Sequence, residues 1–438
     1  MPSRPWATRW VLRRSVPWRP LRRCCRSGRR RAFQPRSRRR WTGGGPTARR
    51  VPEQPVTGRL RVAYLLEQLW HRVPGGTAVA AFRTAEALAA RDDVDLVGFT
   101  ARHGEPSTGD VSVVPPADIS LVASRLPRAL LYESWHWFAR PRVEALIGEV
   151  DLVHASGGAV PATRRPLVAT VHDLAWRRHP EAATPRGRRL FEAWLADARR
   201  AEAVACPSEA TRLDLADAGF DEGRLHIVPL GVGGGRTHPV EDLDAARANV
   251  AACLRRHGVD GPFVLWVGTV EPRKNLPGLV AAMDRIPDGG SVPLVLVGPA
   301  GWEADARRIA EPLGDRAILV GSVSEAERDA WLEAATVLCL PSLHEGFGLP
   351  VLEAMAAGTP VVTSSGTATE EVAGGAALVA DPAAPGSIGE ALGAVLADED
   401  LASRLAETGL ERAATFTWEA TAEATVAVYH KAMARWGG

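Results

Sequence analysis

Two series of short apolar runs, each broken by glycine turns and by stretches of helical periodicity, constrain this chain more than any other feature. The first comprises LRVAYLL (60–66), DVDLVGF (93–99), VSVV (111–114), DLVHAS (151–156), PLVATV (166–171), AEAVACPS (201–208) and RLHIVPLGV (224–232). A polar, alanine-rich segment from 233 to 260 follows, and the pattern restarts with FVLWVG (263–268), PLVLVG (293–298), AILVG (317–321), TVLCLPS (336–342), PVV (360–362) and AALVA (376–380). Runs this short with few charges read as parallel strands covered on both faces. Between them, TAVAAFRTAEALAA places Val79, Phe82, Ala85, Leu88 and Ala89 on one helical face, a second helix is expected over 183–200, and Ser324 with Glu327 forms a capping box opening a third. The expected architecture is α/β, with two Rossmann-like, doubly wound parallel-sheet domains facing a central cleft. The expected divisions are a tail over 1–57, domains over 58–235 and 236–416, and a terminal helical segment over 417–438.

At 438 residues and 46% apolar, the chain can bury two substantial cores. Charge is uneven: residues 1–50 hold 17 of the 53 basic side chains and none of the 51 acidic ones. The tail, rich in Arg, Pro, Ser and Gly, reads as disordered, and the acidic remainder argues against nucleic acid as a partner. A secretory signal would need an apolar stretch after the first arginines, and Val11 to Leu21 is interrupted by Arg13, Arg14, Arg19 and two prolines. With no run of 18 uncharged apolar residues and no CxxC pair, a reduced, cytoplasmic setting is expected, with peripheral association with the inner membrane surface left open. Cys206 and Cys339 sit in apolar runs and read as core thiols.

Three segments carry chemistry. PSLHEGFGLPVLEAMAAGTPVV (341–362) follows a strand, turns through Gly346 and Gly348, and enters a helix with Pro350 at its first position, whose free N–H groups favour an anion. Glu345 and Glu353 either reach different parts of one extended ligand or are surface carboxylates at a tight turn. GTVEPRKN (268–275) places Arg273 and Lys274, one of the chain's two lysines, at the end of a buried strand. The two cations either neutralise a diphosphate or belong to a solvated helix start, and because cations there oppose the helix dipole unless an anion is bound, the first reading is favoured. In VATVHDLAW (168–176), His172 and Asp173 end a strand and face the same cleft, while Gly75 and Gly76 in the first strand-to-helix loop permit close backbone approach.

In order and spacing, residues 60–435 resemble the retaining, GT-B-fold glycosyltransferases of family 4. The likeness runs from the early GG loop through HD, EPRKN, EGFGLPVLEA and GTPVV to EVAGGAAL and the terminal FTW. It implies a first domain on the acceptor side, a second domain binding a nucleotide-sugar donor, and a last helix crossing back to the first. Glu345 would sit by the donor sugar and Glu353 would bind the ribose. Arg273 and Lys274 would hold the diphosphate, with the amides around Phe347, Gly348 and Leu349 alongside. His172 would contact the transferred sugar, with Asp173 on the acceptor side and Gly75 and Gly76 at the donor phosphate and the acceptor entrance. Many members carry Gly-Arg where this chain has Gly268-Thr269, and Pro-Glu-Val where it has Glu370-Glu371-Val372. Thr269 and Glu371 are nevertheless implied as donor contacts.

The resemblance implies catalytic roles for Glu345, His172 and Lys274. It also implies a retaining transfer from a GDP- or UDP-linked sugar, with VGTVEPRKN resembling the mannosyltransferase-like branch and pointing to GDP-mannose. The donor is a substrate, and no cofactor is expected. No metal is expected either, because no DxD-like acidic pair lies at the expected cleft. A glycan or lipid-linked acceptor is expected, with Trp135 and Trp137 read either as an apolar acceptor wall or as core. The competing expectations are a sugar-nucleotide epimerase or phosphorylase on the same fold, and a non-catalytic nucleotide-binding subunit.

Overall fold

The computed structural model describes residues 58–70, 75–103, 119–233, 240–287, 292–299 and 306–437. The Arg-rich tail and the VSVV run lie outside them. The first sheet contains β1 (Leu60–Leu65), β2 (Val94–Arg102), β3 (Ser120–Pro127), β4 (Leu152–Ala155), β5 (Leu167–Thr170), β6 (Ala203–Cys206) and β7 (Leu225–Ile227). The second contains β8 (Val264–Val267), β9 (Leu294–Val297), β10 (Ala317–Gly321), β11 (Val337–Leu340), β12 (Val361–Ser364) and β13 (Leu378–Ala380). All pairings are parallel, in the orders 3-2-1-4-5-6-7 and 10-9-8-11-12-13. Each sheet therefore reverses its winding direction once, between β1 and β4 and between β8 and β11, and such switch points are where doubly wound sheets leave a crevice for ligand.

Strands β4, β6, β8, β9 and β11 are buried throughout, as their apolar runs predict. Strand β3 was not legible: it pairs only with β2 at the sheet edge, and Ser124 is its one fully buried residue. The segment 233–260 supplies a helix, Val240–Arg256, that packs with the second domain.

Helix Gly76–Ala89 also corrects an expectation. Its buried stripe is Ala78, Ala81, Ala85 and Leu88, whereas Val79 and Phe82 are only half-buried and turn toward the cleft. The alanines let the helix lie close against its neighbours, leaving the larger side chains for the cavity. The capping box at Ser324 forms as expected, with Glu327 returning to the Ser324 N–H.

The last helix, Trp418–Trp436, crosses back to the first domain. Ala422, Val426, Tyr429 and Ala432 join the core of Val62, Tyr64 and Leu88, and Thr421 donates to the Pro229 carbonyl at 2.8 Å. The two connections between the domains run side by side. Val232 N–H donates to Phe416 O at 3.0 Å, and a Cβ on Gly231 would fall 2.4 Å from Trp418 N, so only glycine permits that approach.

Candidate active site

Between the sheets lies a cleft of about 2090 Å³ whose walls come from both domains. Lys274 and Arg273 follow β8 in a short 3-10 turn, and Asn275 reverses the chain with φ 54° while its side-chain amide donates to the carbonyls of Pro341 and Pro382. Those bonds, with Leu343 N–H donating to Arg273 O at 2.7 Å, knit this turn to the connection after β11. As a result Glu345 meets both cations: Lys274 Nζ lies 2.5 Å from Oε1 and Arg273 Nη1 3.0 Å from Oε2, with Ser342 Oγ donating to Oε1 at 2.7 Å. Arg273 also pairs with Glu271 at 2.9 Å. The two expected cations are thus each partnered by a carboxylate.

Burial alone would raise the Glu345 carboxyl, but Lys274 and Arg273, helped by the hydrogen bonds from Lys274 and Ser342, hold it down at about 2. It is a carboxylate at every physiological pH. Burial works against the charge of Arg273 as well, and Glu345, Asp173 and Glu271 outweigh it, keeping the guanidinium protonated.

The helix after this loop, Leu349–Ala356, starts at Gly348, whose φ of 100° favours glycine, and Leu349 rather than Pro350 is its first residue. Among the described residues the N–H groups of Phe347 and Gly348 have no acceptor, and both residues line the cleft at the positive end of this helix. Glu353 is in the second turn of this helix. Burial raises its carboxyl above the ordinary range, against the pull of Arg328, whose Nη1 is 3.4 Å away.

Sequence reasoning missed Arg328 and Ser342. Arg328 stands near the start of helix Glu325–Ala334, where a cation opposes the dipole, the same signal that marks Lys274. Its Nε has no acceptor among the described residues.

Across the cleft, His172 Nε2 lies 2.9 Å from Ser156 O. A carbonyl can only accept, so Nε2 carries the proton and the neutral ring keeps Nδ1 as an acceptor. Burial lowers the ring below its usual value, against the Ser156 bond and Asp173, which favours that neutral form. Asp173 Oδ1 accepts from Ala175 N–H at 3.0 Å, fixing the turn after β5. Gly76 faces the second domain directly, since a Cβ there would come 3.6 Å from the Leu349 side chain. Gly75 and Thr269 also line the cleft.

Glu371 does not line it: its carboxylate accepts from the N–H of Glu209 at 2.8 Å, in the first domain. The expected donor contact is replaced by an interdomain one, because the helix bearing Glu371 faces a helix start that its carboxylate satisfies. Trp135 is core, 1% exposed and donating to Pro141 O, and Trp137 is 68% exposed; neither forms a wall of the cleft, which Tyr132 and Trp194 line instead.

Two family models match this chain, "Glycosyltransferase Family 4" over residues 74–233 and "Glycosyl transferases group 1" over 255–412, one on each domain. An MMP alpha-(1->4)-mannosyltransferase of Mycolicibacterium hassiacum is 33% identical over 311 residues, covering 66% of this chain and 72% of that protein. The chain belongs to the group 1 glycosyltransferases. This glycosyltransferase is also 37% identical over 172 residues to O-antigen chain mannosyltransferase B of Escherichia coli, a match covering 38% of the chain but only 45% of that relative. Among solved structures, the sucrose-phosphate synthase of Thermosynechococcus elongatus superposes with a TM-score of 0.66 at 24% identity, covering 86% of this chain and all of that one, which establishes the GT-B fold. Among the described residues of the glycosyltransferase, no helix is long and apolar enough to cross a membrane.

Proposed function

We propose that this glycosyltransferase moves mannose from GDP-mannose to a hydroxyl of a glycan or lipid-linked acceptor, with retention of anomeric configuration and without a metal. The observation that carries the reading is the convergence of Lys274, Arg273 and the unpartnered amides of Phe347 and Gly348 on one wall of the cleft. Breaking the bond between the anomeric carbon and the diphosphate leaves its electron pair, and a growing negative charge, on a phosphate oxygen. Fixed cations and helix amides stabilise that charge at the moment it forms. They supply what a divalent ion supplies elsewhere, which supports a metal-independent transfer.

Retention follows if the acceptor oxygen attacks from the side the diphosphate leaves, passing its proton to the departing phosphate oxygen. Glu345 suits that course better than covalent catalysis, since Lys274, Arg273 and Ser342 hold both of its oxygens, and it acts on the positive character developing at the sugar. His172 Nδ1 accepts from a hydroxyl of the transferred sugar. Glu353, oriented by Arg328, accepts from the ribose. The cleft exceeds the roughly 300–1,000 Å³ of a single small-ligand site, which accommodates donor and acceptor together. The mannose assignment draws on the two mannosyltransferase relatives.

Calorimetric titration with GDP-mannose, other GDP-sugars and UDP-sugars, with and without EDTA at fixed salt, tests the proposal. Selective, EDTA-insensitive binding of GDP-mannose is expected. Preference for a UDP-sugar would reassign the donor, loss of binding in EDTA would overturn metal independence, and binding of none of them would remove the donor reading.

A further inference from the structure

At one side of the cleft the domains are bonded by residues the proposed transfer does not use. Glu371, on the short helix Ala368–Ala373, reaches into the first domain. Its Oε1 and Oε2 accept from Glu209 N–H at 2.8 and 2.9 Å, and Oε2 from Ala210 N–H at 3.3 Å. These open the helix Glu209–Asp217, whose first N–H groups have no partner within the helix and lie at its positive end. Ser208, the N-cap of that helix, accepts from Thr211 N–H and donates its hydroxyl to Gly346 O at 2.7 Å. Thr211 Oγ1 is 3.2 Å from Gly346 O and 3.3 Å from His172 O. One helix start in the first domain therefore holds two separate connections of the second.

The element carrying Glu371 is fixed on both sides. Arg412 donates to the carbonyls of Val372 and Glu371 at 2.9 and 3.0 Å. On the other side Thr369 presses on the loop around Phe347, so closely that a Cβ on Gly348 would fall 2.5 Å from Thr369 Cγ2. Thr369, two residues before Glu371, thus ties the loop around Phe347 to the element that crosses into the first domain.

We propose that Glu371 and Ser208 are positioning residues for sugar transfer, forming an interdomain latch that registers His172 against the Glu345 loop and that the donor loop engages. The catalytic part rests on the proposed function; the closure does not. Glu371 is exposed, so the latch is reversible and sensitive to salt.

Small-angle scattering of the full chain, alone and with GDP or UDP, together with steady-state transfer, tests this on Glu371→Ala, Glu371→Gln and Ser208→Gly. Glycine caps a helix nearly as well as serine but cannot donate to Gly346. For Glu371→Ala and Ser208→Gly the expected result is a larger radius of gyration, a modestly higher donor KM, since a latch that the donor engages must in turn favour the donor, and a kcat about threefold to tenfold lower. Partial recovery is expected in Glu371→Gln, whose amide oxygen still accepts. In the wild type, rising salt should lower kcat more than in Glu371→Ala. An unchanged radius overturns the latch whatever happens to turnover. A larger radius with unchanged kcat overturns the positioning role. Scattering reads closure without any donor sugar, so absence of transferase activity would defeat the proposed function while the latch is judged on scattering alone.

Discussion

Lys274 and Glu345, 71 residues apart, leave adjacent strands of the second sheet and meet with 2.5 Å between Nζ and Oε1. The pair spans the point where the sheet reverses its winding, so charge for the leaving group and a carboxylate for the sugar are delivered by backbone connections rather than by mobile loops. Its neutrality before ligand binds limits the cost of burying either charge, while removing one partner would leave the other uncompensated.

Lys274→Ala should lower kcat by about a hundredfold, corresponding to roughly 3 kcal/mol of lost leaving-group stabilisation. Steady-state transfer with a nucleotide-sugar would measure it. A change confined to KM would mean that Lys274 only binds substrate.

Glu345→Gln should destabilise the fold in a pH-dependent way. With its pKa lowered from 4.5 to about 2, Glu345 contributes stability that is fully present above pH 4.5 and lost as pH falls through about 2. The gap in unfolding free energy between wild type and variant, measured in urea, should be wide at pH 7 and narrow below pH 4.5. A constant gap would contradict the ionised assignment.

His172 should act as a neutral ring. Burial lowers its pKa from 6.5, so the stability it lends is fully present above pH 6.5 and declines on acidification through the lowered value. Transfer should therefore show no His172-dependent limb between pH 6.5 and 8. His172→Ala should be slower throughout that range, and an acid limb above 6.5 that disappears in the variant would refute this.

Gly346→Ala should abolish transfer while preserving secondary structure. A Cβ there would lie 2.0 Å from His172 O, a backbone atom, and overpacking of this kind costs about 1–3 kcal/mol. Circular dichroism matching wild type, with nucleotide binding retained and turnover lost, is the expected combination; normal turnover would show that the domains need not approach this closely.

What the sequence made legible was whatever repeats locally. Buried runs such as VLWV and VLCL announce strands because both faces of a parallel sheet are covered, and the Ser324 to Glu327 spacing announces its own cap. Strand β3 was not legible because an edge needs little apolar surface. The cleft-lining residues His172, Arg273, Lys274, Glu345 and Glu353 were found through their places after strands, but their pairing was not, since Lys274 could as well have been a free cation. Glu371 was misread for the same reason. Its role depends on a helix start in the other domain, and Ser208 advertises only the cap it makes within its own helix.

The return of helix Trp418–Trp436 to the first domain inverts the order in which the protein can be finished during synthesis. Residues 60–227 emerge before the second domain, yet the core that holds Val62 and Tyr64 lacks Ala422, Val426 and Tyr429 until residues 418–436 leave the ribosome. The second sheet is contiguous in sequence, and its core waits only for the start of that helix, at Trp418. The domain made first is therefore the last to be sealed, and until then it presents an apolar face to the cell.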